Sequence, residues 1–402
     1  MSTPVVENHR AVRTFVAYRV VSRGYFHLSI LFVYLLTRDH SVLEVALVLG
    51  SYGLALAALT PVSSRLVARL GPVRALIAGE VLKAAGLVLL AVGAASVPVA
   101  VFAQVVNALG FALAMSADTT VINRLAGPAR VRSLQASTQS WMFVSLLVSG
   151  VAGGALYLVD PRLPLAAGAA AALAAAGLAL TLPRNDAAPA GVAGAPSAPP
   201  SDTARRMTAP EIRWVTYYVL TRGFMLGSFI GLLPYLVFQR LDVDVLGLSL
   251  VLGSYTLAAF VTARYSQQIL RRAGQRTVAV ATGVVLLLSL VVFAVSTSLA
   301  AVVLAMILLG AASGGVRPAT LGELSRAAAE HRGGAVPGWL LSRMEGAFGL
   351  CNAVVVLAGG VVIQFWSFPA AMLALAVLYV LVQAVTTVVA NRASVDTAIT
   401  YS

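Results

Sequence analysis

Apolar runs recur along almost the whole of this 402-residue chain, each long enough to cross a bilayer core of about 30 Å as a helix of about 20 residues. Strands of a membrane barrel would alternate in polarity over about 10 residues, and these runs do not alternate. Only 11% of the residues are charged and 59% are hydrophobic, against about 25% charged in soluble domains. The chain therefore reads as an all-α membrane protein. Turn signals between the runs predict twelve spans, at 12–37, 41–67, 74–95, 97–124, 132–158 and 162–182, then 210–239, 245–270, 276–297, 299–326, 336–364 and 368–391. This divides the chain into a bundle over 1–182, a cytoplasmic linker over 183–209 and a bundle over 210–402. The linker holds "PRNDAAPAGVAGAPSAPPSDTARR", a Pro-, Ala- and Gly-rich composition expected of a flexible tether.

The formal charge of +13 sorts by side. With both termini placed in the cytoplasm, the inner loops and tails hold eighteen arginines, and the outer loops hold Arg38, Arg162 and Arg240. That asymmetry is the positive-inside pattern of short loops. The basic excess is a topology signal, and nucleic acid is not an expected partner. The single Cys351 rules out an intrachain disulfide, and His9, His27, His40 and His331 are too scattered for a metal site. The sole lysine, Lys83, lies outside any GxxxxGK[ST] phosphate loop. No cofactor is expected. One lysine against 27 arginines, with abundant alanine, suggests a GC-rich bacterial gene and a place in the cytoplasmic (inner) membrane.

The phrase "VLGSY" stands at Val48–Tyr52 and again at Val251–Tyr255, 203 positions later. Its flanks follow the same order. "SRGYF" at Ser22–Phe26 matches "TRGFM" at Thr221–Met225, and "SSRLVARLGPVR" at Ser63–Arg74 matches "SQQILRRAGQRT" at Ser266–Thr277. Gly110 corresponds to Gly310, and Gly153–Gly154 to Gly359–Gly360. A six-span unit is present twice, and parallel repeats of this kind set a substrate site at their interface near mid-membrane.

Two six-span units, a long middle loop, and a basic Gly-containing loop after the second span of each unit resemble the major facilitator superfamily. The motifs are altered. In the family's G-x-L-x-D-R-x-G-R loop, Ser64 stands for the first Gly and Ala68 for the Asp, while Arg69, Gly71 and a displaced Arg74 remain. The fifth-span motif of antiporters, G-x-x-x-G-P-x-x-G-G, becomes "SLLVSGVAGG" at Ser145–Gly154, and Val106 and Asn107 lie where the fourth span often carries Arg. The resemblance implies that spans one, four, seven and ten line a central cavity, gathering Arg23, His27, Asp118, Arg222 and Arg317. It also implies that span two packs on eleven and span five on eight across the bundle interface.

Seven basic residues fall inside predicted spans (Arg19, Arg23, Lys83, Arg222, Arg264, Arg317 and Arg343), as do Glu80, Asp118, Glu323 and Glu345, with Glu44 near an outer end. At about 2.5–3.5 kcal/mol for each mid-span charge, eleven facing lipid would cost on the order of 30 kcal/mol, more than the roughly 5–15 kcal/mol that holds a domain folded. They must pair, line water or snorkel. Arg23 and Arg222, at matching depth, are expected either to bind cargo or to form static pairs with Asp118 and Glu345. Those two carboxyls are the candidates for proton coupling. Arg19 is expected to snorkel, and Glu80 and Lys83 to neutralise each other one turn apart. Asn107, Gln139, Trp141, Tyr255 and Asn352 are further candidate cavity walls. Gly50, Gly253, Gly153, Gly154, Gly359 and Gly360 are candidate gating contacts, since small residues let helices approach in lipid.

The expectation is a monomeric secondary transporter moving a small organic molecule by alternating access, as proton-coupled efflux. The alternative is a proton-coupled importer of an anionic metabolite. A membrane enzyme or non-transporting receptor would need a catalytic constellation or a soluble domain, and neither is visible in the sequence.

Overall fold

The computed structural model describes residues 9–183, 207–332, 336 and 338–400. The expected linker at 183–209 thus lies almost wholly outside the described residues. Every regular element among those described is helical. Eleven helices are long and apolar enough to cross a membrane. On span nine, Val280, Val284, Leu288, Val291 and Val295 are all exposed. Their three- and four-residue steps make one apolar stripe, the face such a helix offers to lipid.

The repeat is written into the backbone. Among the described residues the only positive φ angles are at Asp39 and Asp242 and at Gly71 and Gly274. Each pair is 203 positions apart, the spacing of the repeated phrase. The second span of each half, Val42–Leu70 and Val245–Ala273, starts on an oxygen cap: the Ser41 hydroxyl accepts from Glu44 N–H, and the Asp244 carboxylate from Gly247 N–H. Each ends on Gly71 or Gly274, at φ 81°, ψ 150° and φ 77°, ψ 153°. That backbone region is open essentially to glycine alone.

Two expected boundaries are corrected. Spans four and five belong to one helical path, Val97–Val159, without the expected loop. Arg19 nevertheless touches both Asp118 and Thr138, at 3.0 and 2.8 Å. A straight helix would hold those two about 30 Å apart, so the path doubles back and yields two crossings, Val97–Ile122 and Thr138–Val159.

Span one, expected as a continuous helix over 12–37, is broken. It consists of His9–Val21 and Leu31–Leu36, joined by turns through "SRGYFHLSI". Side chains from other spans occupy carbonyls at the break. Ser145 Oγ donates to Val20 O at 2.7 Å, and Lys83 Nζ to Ser22 O at 3.1 Å. In an α-helix Ser22 O would accept from the N–H of residue 26. The first span of the second half is irregular too. Ala209–Leu226 passes into wide π-helical turns at Gly227–Leu232 and Tyr235–Arg240. Pro234 lies between them; it lacks an N–H and its ring crowds the carbonyl four residues back, so the ladder shifts to longer bonds.

The two bundles meet along two pairs of spans. Span two lies against span eleven (Gly338–Phe365), and span five against span eight. Small residues set the distance. A Cβ on Gly50 would lie 2.7 Å from Leu357, and one on Gly53 would lie 2.6 Å from the Gly349 carbonyl. On the other pair, Gly253 lies near Leu147 and Val151, and Ser249 hydrogen-bonds Ser29 across the bundles at 3.4 Å.

Candidate functional site

Arg23 lies within the break of span one, and Arg222 lies one turn before the irregular stretch of span seven. Arg23 extends towards span four. Its Nη1 donates to the Tyr25 hydroxyl, its Nη2 lies 2.8 Å from Met115 Sδ, and its guanidinium stands 4.9 Å from the Phe111 ring centre. No carboxylate lies within ion-pair distance of it among the described residues. Arg222 occupies the equivalent place in the other bundle. Its Nη1 donates to Tyr218 Oη at 2.5 Å, and the guanidinium sits 5.1 Å from the Phe348 ring centre. Tyr218 passes the contact on by donating to Glu345 Oε1 at 3.0 Å, and Arg317 reaches the same oxygen at 3.5 Å.

The pairs differ from both expected ones. Asp118 pairs with Arg19, not Arg23, at 3.0 Å, with both side chains about nine-tenths buried. Glu345 pairs with Arg317 and meets Arg222 only through Tyr218. Arg19 does not snorkel: it is 9% exposed and ties span one to spans four and five through Asp118 and Thr138. Asp118 Oδ1 keeps no hydrogen-bond partner. Around the centre stand four arginines and two carboxylates, a surplus of two positive charges.

Two small clefts adjoin this cluster. One, with an empty volume of about 190 Å³, is lined by Tyr18, Arg19, Ser22, Arg23, Ala114 and Asp118. The other, about 290 Å³, lies between the bundles beside Tyr25, Ser29, Gly150, Phe229, Ser249 and Gly253. Neither offers the enclosed room of the pockets that hold drug-sized ligands.

Other expected wall residues lie elsewhere. His27 turns into its own bundle, buried against Gly168 of span six and near Leu87 of span three, with Nδ1 unpartnered. Asn107 packs on Gly86 and meets Gln104 at 3.5 Å, so it faces span three. Tyr255 is buried, stacked 4.3 Å from Phe229 and bonded to Ser313 at 2.7 Å, a core contact beside the inter-bundle cleft. Asn352 abuts Gly227, where the wide turns of span seven begin, and its Oδ1 is buried without a partner. Trp141 is exposed, and Gln139 is half-buried next to Thr138.

Among the glycines, Gly154 meets Ser249 and Gly360 meets Ala46 of the opposite bundle, whereas Gly153 meets the Phe26 carbonyl and Gly359 meets Leu232 of their own. Sequence reasoning missed the aromatic partners Tyr25, Phe111, Tyr218 and Phe348. Only Tyr218 carried a signal, four residues before Arg222 and so on the same helix face.

Comparison with solved structures finds the same architecture. The nucleoside transporter NupG superimposes with a TM-score of 0.72 at 15% identity, covering 94% of this chain and 98% of that one. A single-residue variant of NupG gives 0.74 at 14% identity with the same coverage. The human organic anion transporter MFSD10 (TETRAN) gives 0.67 at 14% identity, covering 94% of this chain and 99% of its own. At such identities the likeness establishes the fold alone. No curated protein matches the sequence. The family profile described as Major Facilitator Superfamily matches residues 14–342, most of the chain, and with twelve spans in two repeated bundles this protein is a multi-pass membrane protein belonging to that superfamily of transporters.

Proposed function

We propose that this protein is a monomeric, proton-coupled secondary transporter that exports a small organic anion across the cytoplasmic membrane, its termini on the cytoplasmic side. The bundles over 1–182 and 210–402 are the two moving bodies. The observation that carries the cargo assignment is the uncompensated charge at the centre: Arg23 has no carboxylate partner among the described residues, and Arg222 has one only through Tyr218. A desolvated guanidinium held by a tyrosine hydroxyl and an aromatic face keeps donors available for a carboxylate or phosphate. Because both clefts are small, a cargo molecule requires the bundles to part, which fits alternating access about the contacts of spans two with eleven and five with eight.

Asp118 and Glu345 are the proposed proton carriers. Each shares an arginine with the cargo site's surroundings, so protonation would free Arg19 or Arg317. The outward direction rests on the glycine pair retained in the fifth-span motif. A second reading, inward symport of an anionic metabolite, uses the same arginines and is favoured by the same positive surplus. The test is flux in proteoliposomes across a panel of anionic, neutral and cationic organic molecules under an imposed pH gradient. Efflux predicts anion movement opposite to the proton flow, and symport predicts movement with it. Loss of binding in Arg23→Ala and Arg222→Ala is expected for the anions. Unchanged affinity in both variants would overturn the anionic assignment.

A further inference from the structure

The break in span one holds a cation that neither the cargo site nor the proton carriers use. Lys83 reaches from span three (Pro72–Gly93) with its ammonium buried, 3% exposed. Its Nζ lies 2.6 Å from Glu80 Oε2, 3.1 Å from Ser22 O and 3.1 Å from Ser22 Oγ. An ammonium has three N–H donors; two hydrogen bonds go to the oxygens of Ser22, and the third oxygen, Glu80 Oε2, faces the ammonium as an ion pair. The oxygens are held from behind. Ser22 Oγ donates to Glu80 Oε1 at 2.6 Å and Tyr18 Oη donates to the same atom at 3.0 Å, so the carboxylate is fixed and the Ser22 hydroxyl presents its lone pairs to the ammonium. Glu80 is fully buried.

Ser22 follows the last residue of the His9–Val21 helix, so its carbonyl stands at the negative end of that helix's dipole. A main-chain carbonyl at a half-helix C-terminus, a hydroxyl and a carboxylate, gathered where a membrane helix unwinds, form the kind of oxygen set that binds a small alkali cation in transporters built on discontinuous helices. We infer that these three oxygens constitute a monovalent-cation site and that Lys83 is its permanent, covalently tethered occupant. The ammonium replaces a dissociable sodium ion and keeps the chain from re-forming a continuous helix through Ser22, which in turn holds the adjoining Arg23. The inference does not depend on which cargo is carried, or on whether any is.

The test uses purified full-length protein in detergent and reads the thermal unfolding midpoint in sodium chloride and in choline chloride at equal ionic strength. Wild type is expected to give the same midpoint in both. Lys83→Ala, which removes the ammonium and opens its space, is expected to unfold earlier in choline chloride. Sodium or lithium should then restore it in a saturable way by a few degrees, with potassium less effective because it is larger. Lys83→Met fills the volume without charge and is expected to be destabilised with no response to sodium. A Lys83→Ala protein as stable as wild type in choline chloride would overturn the inference. So would one that sodium and lithium do not stabilise, or one recoverable in none of these salts.

Discussion

Replacing Asp118 by Asn separates a static ion pair from a working one. The Asp118 carboxylate is about nine-tenths buried against Arg19, and its second oxygen has no other partner. Asn preserves the shape and removes the charge, so the Arg19 guanidinium keeps only neutral acceptors, Thr138 and the amide oxygen. Breaking a buried pair from one side costs about 3–5 kcal/mol, because an uncompensated charge remains. At about 2–4 °C per kcal/mol for a unit of 150–250 residues, Asp118→Asn should lower the unfolding midpoint by roughly 6–20 °C. Arg19→Met combined with Asp118→Leu removes both charges and should recover most of that loss, since apolar replacement of a whole buried pair is often neutral.

The assay is a double-mutant cycle of Arg19→Met, Asp118→Leu and their combination by thermal unfolding in detergent, with Asp118→Asn measured alongside it and in pH-gradient-driven flux in proteoliposomes. Asp118→Asn should abolish gradient-driven uphill transport while sparing cargo exchange. The double variant should regain stability but not the drive. A single variant that unfolds with wild type, or single losses that simply add, would refute the geometric reasoning. Normal uphill transport by Asp118→Asn would refute its role in coupling.

Three further outcomes follow from the geometry. Glu345→Gln leaves Arg317 and, through Tyr218, Arg222 without their carboxylate; because Arg317 and Glu345 are 28% and 22% exposed, water screens them and the midpoint should fall by less than in Asp118→Asn while the pH dependence of flux flattens. Gly53→Ala drives a Cβ into the Gly349 carbonyl, whereas Gly253→Ala meets only the flexible end of Leu147 at 3.1 Å, so flux should collapse in the first and persist in the second, with both proteins still inserted. Gly274→Ala meets nothing within 4 Å, so its cost is backbone strain alone, about 1–3 kcal/mol, read as a lowered midpoint with unchanged cargo affinity.

What could be read in advance follows from where each feature's cause lies. The membrane class, the repeat and the positions of most spans come from local apolar runs and matched phrases, and Asp39, Gly71 and their partners 203 residues on carry that repeat into the backbone. The break in span one was not legible, because nothing in "SRGYFHLSI" alone forbids a helix. It depends on Ser145 and Lys83 reaching across from other spans to take carbonyls. The ion pairs were misassigned for a related reason. Spacing puts Arg19 and Arg23 on one face, but only packing decides that Asp118 meets the first and that Phe111 and Met115 meet the second. His27 shares that spacing, yet the chain has left the helix before it arrives, so its ring turns towards Gly168 instead.

The twin glycines link these irregularities to the contacts between the bundles. Successive residues on a helix point about 100° apart, so a Gly-Gly pair can face two neighbours at once. Gly153 lies on the Phe26 carbonyl within the break of span one, and Gly154 on Ser249 of the other bundle; Gly359 lies on Leu232 in the wide turns of span seven, and Gly360 on Ala46. In both halves, one glycine touches the irregular segment beside the arginine and the next touches the opposite bundle. Sliding at the interface would therefore press on the segment that positions Arg23 or Arg222. Gly153→Ala would push on main chain, which can yield only by reshaping the break, while Gly154→Ala would push on the Ser249 side chain, whose hydroxyl can rotate. The first should lose anion binding and flux together with a modest fall in midpoint. The second should keep binding and slow flux only. Wild-type binding and flux in Gly153→Ala would show that the break and the interface move independently.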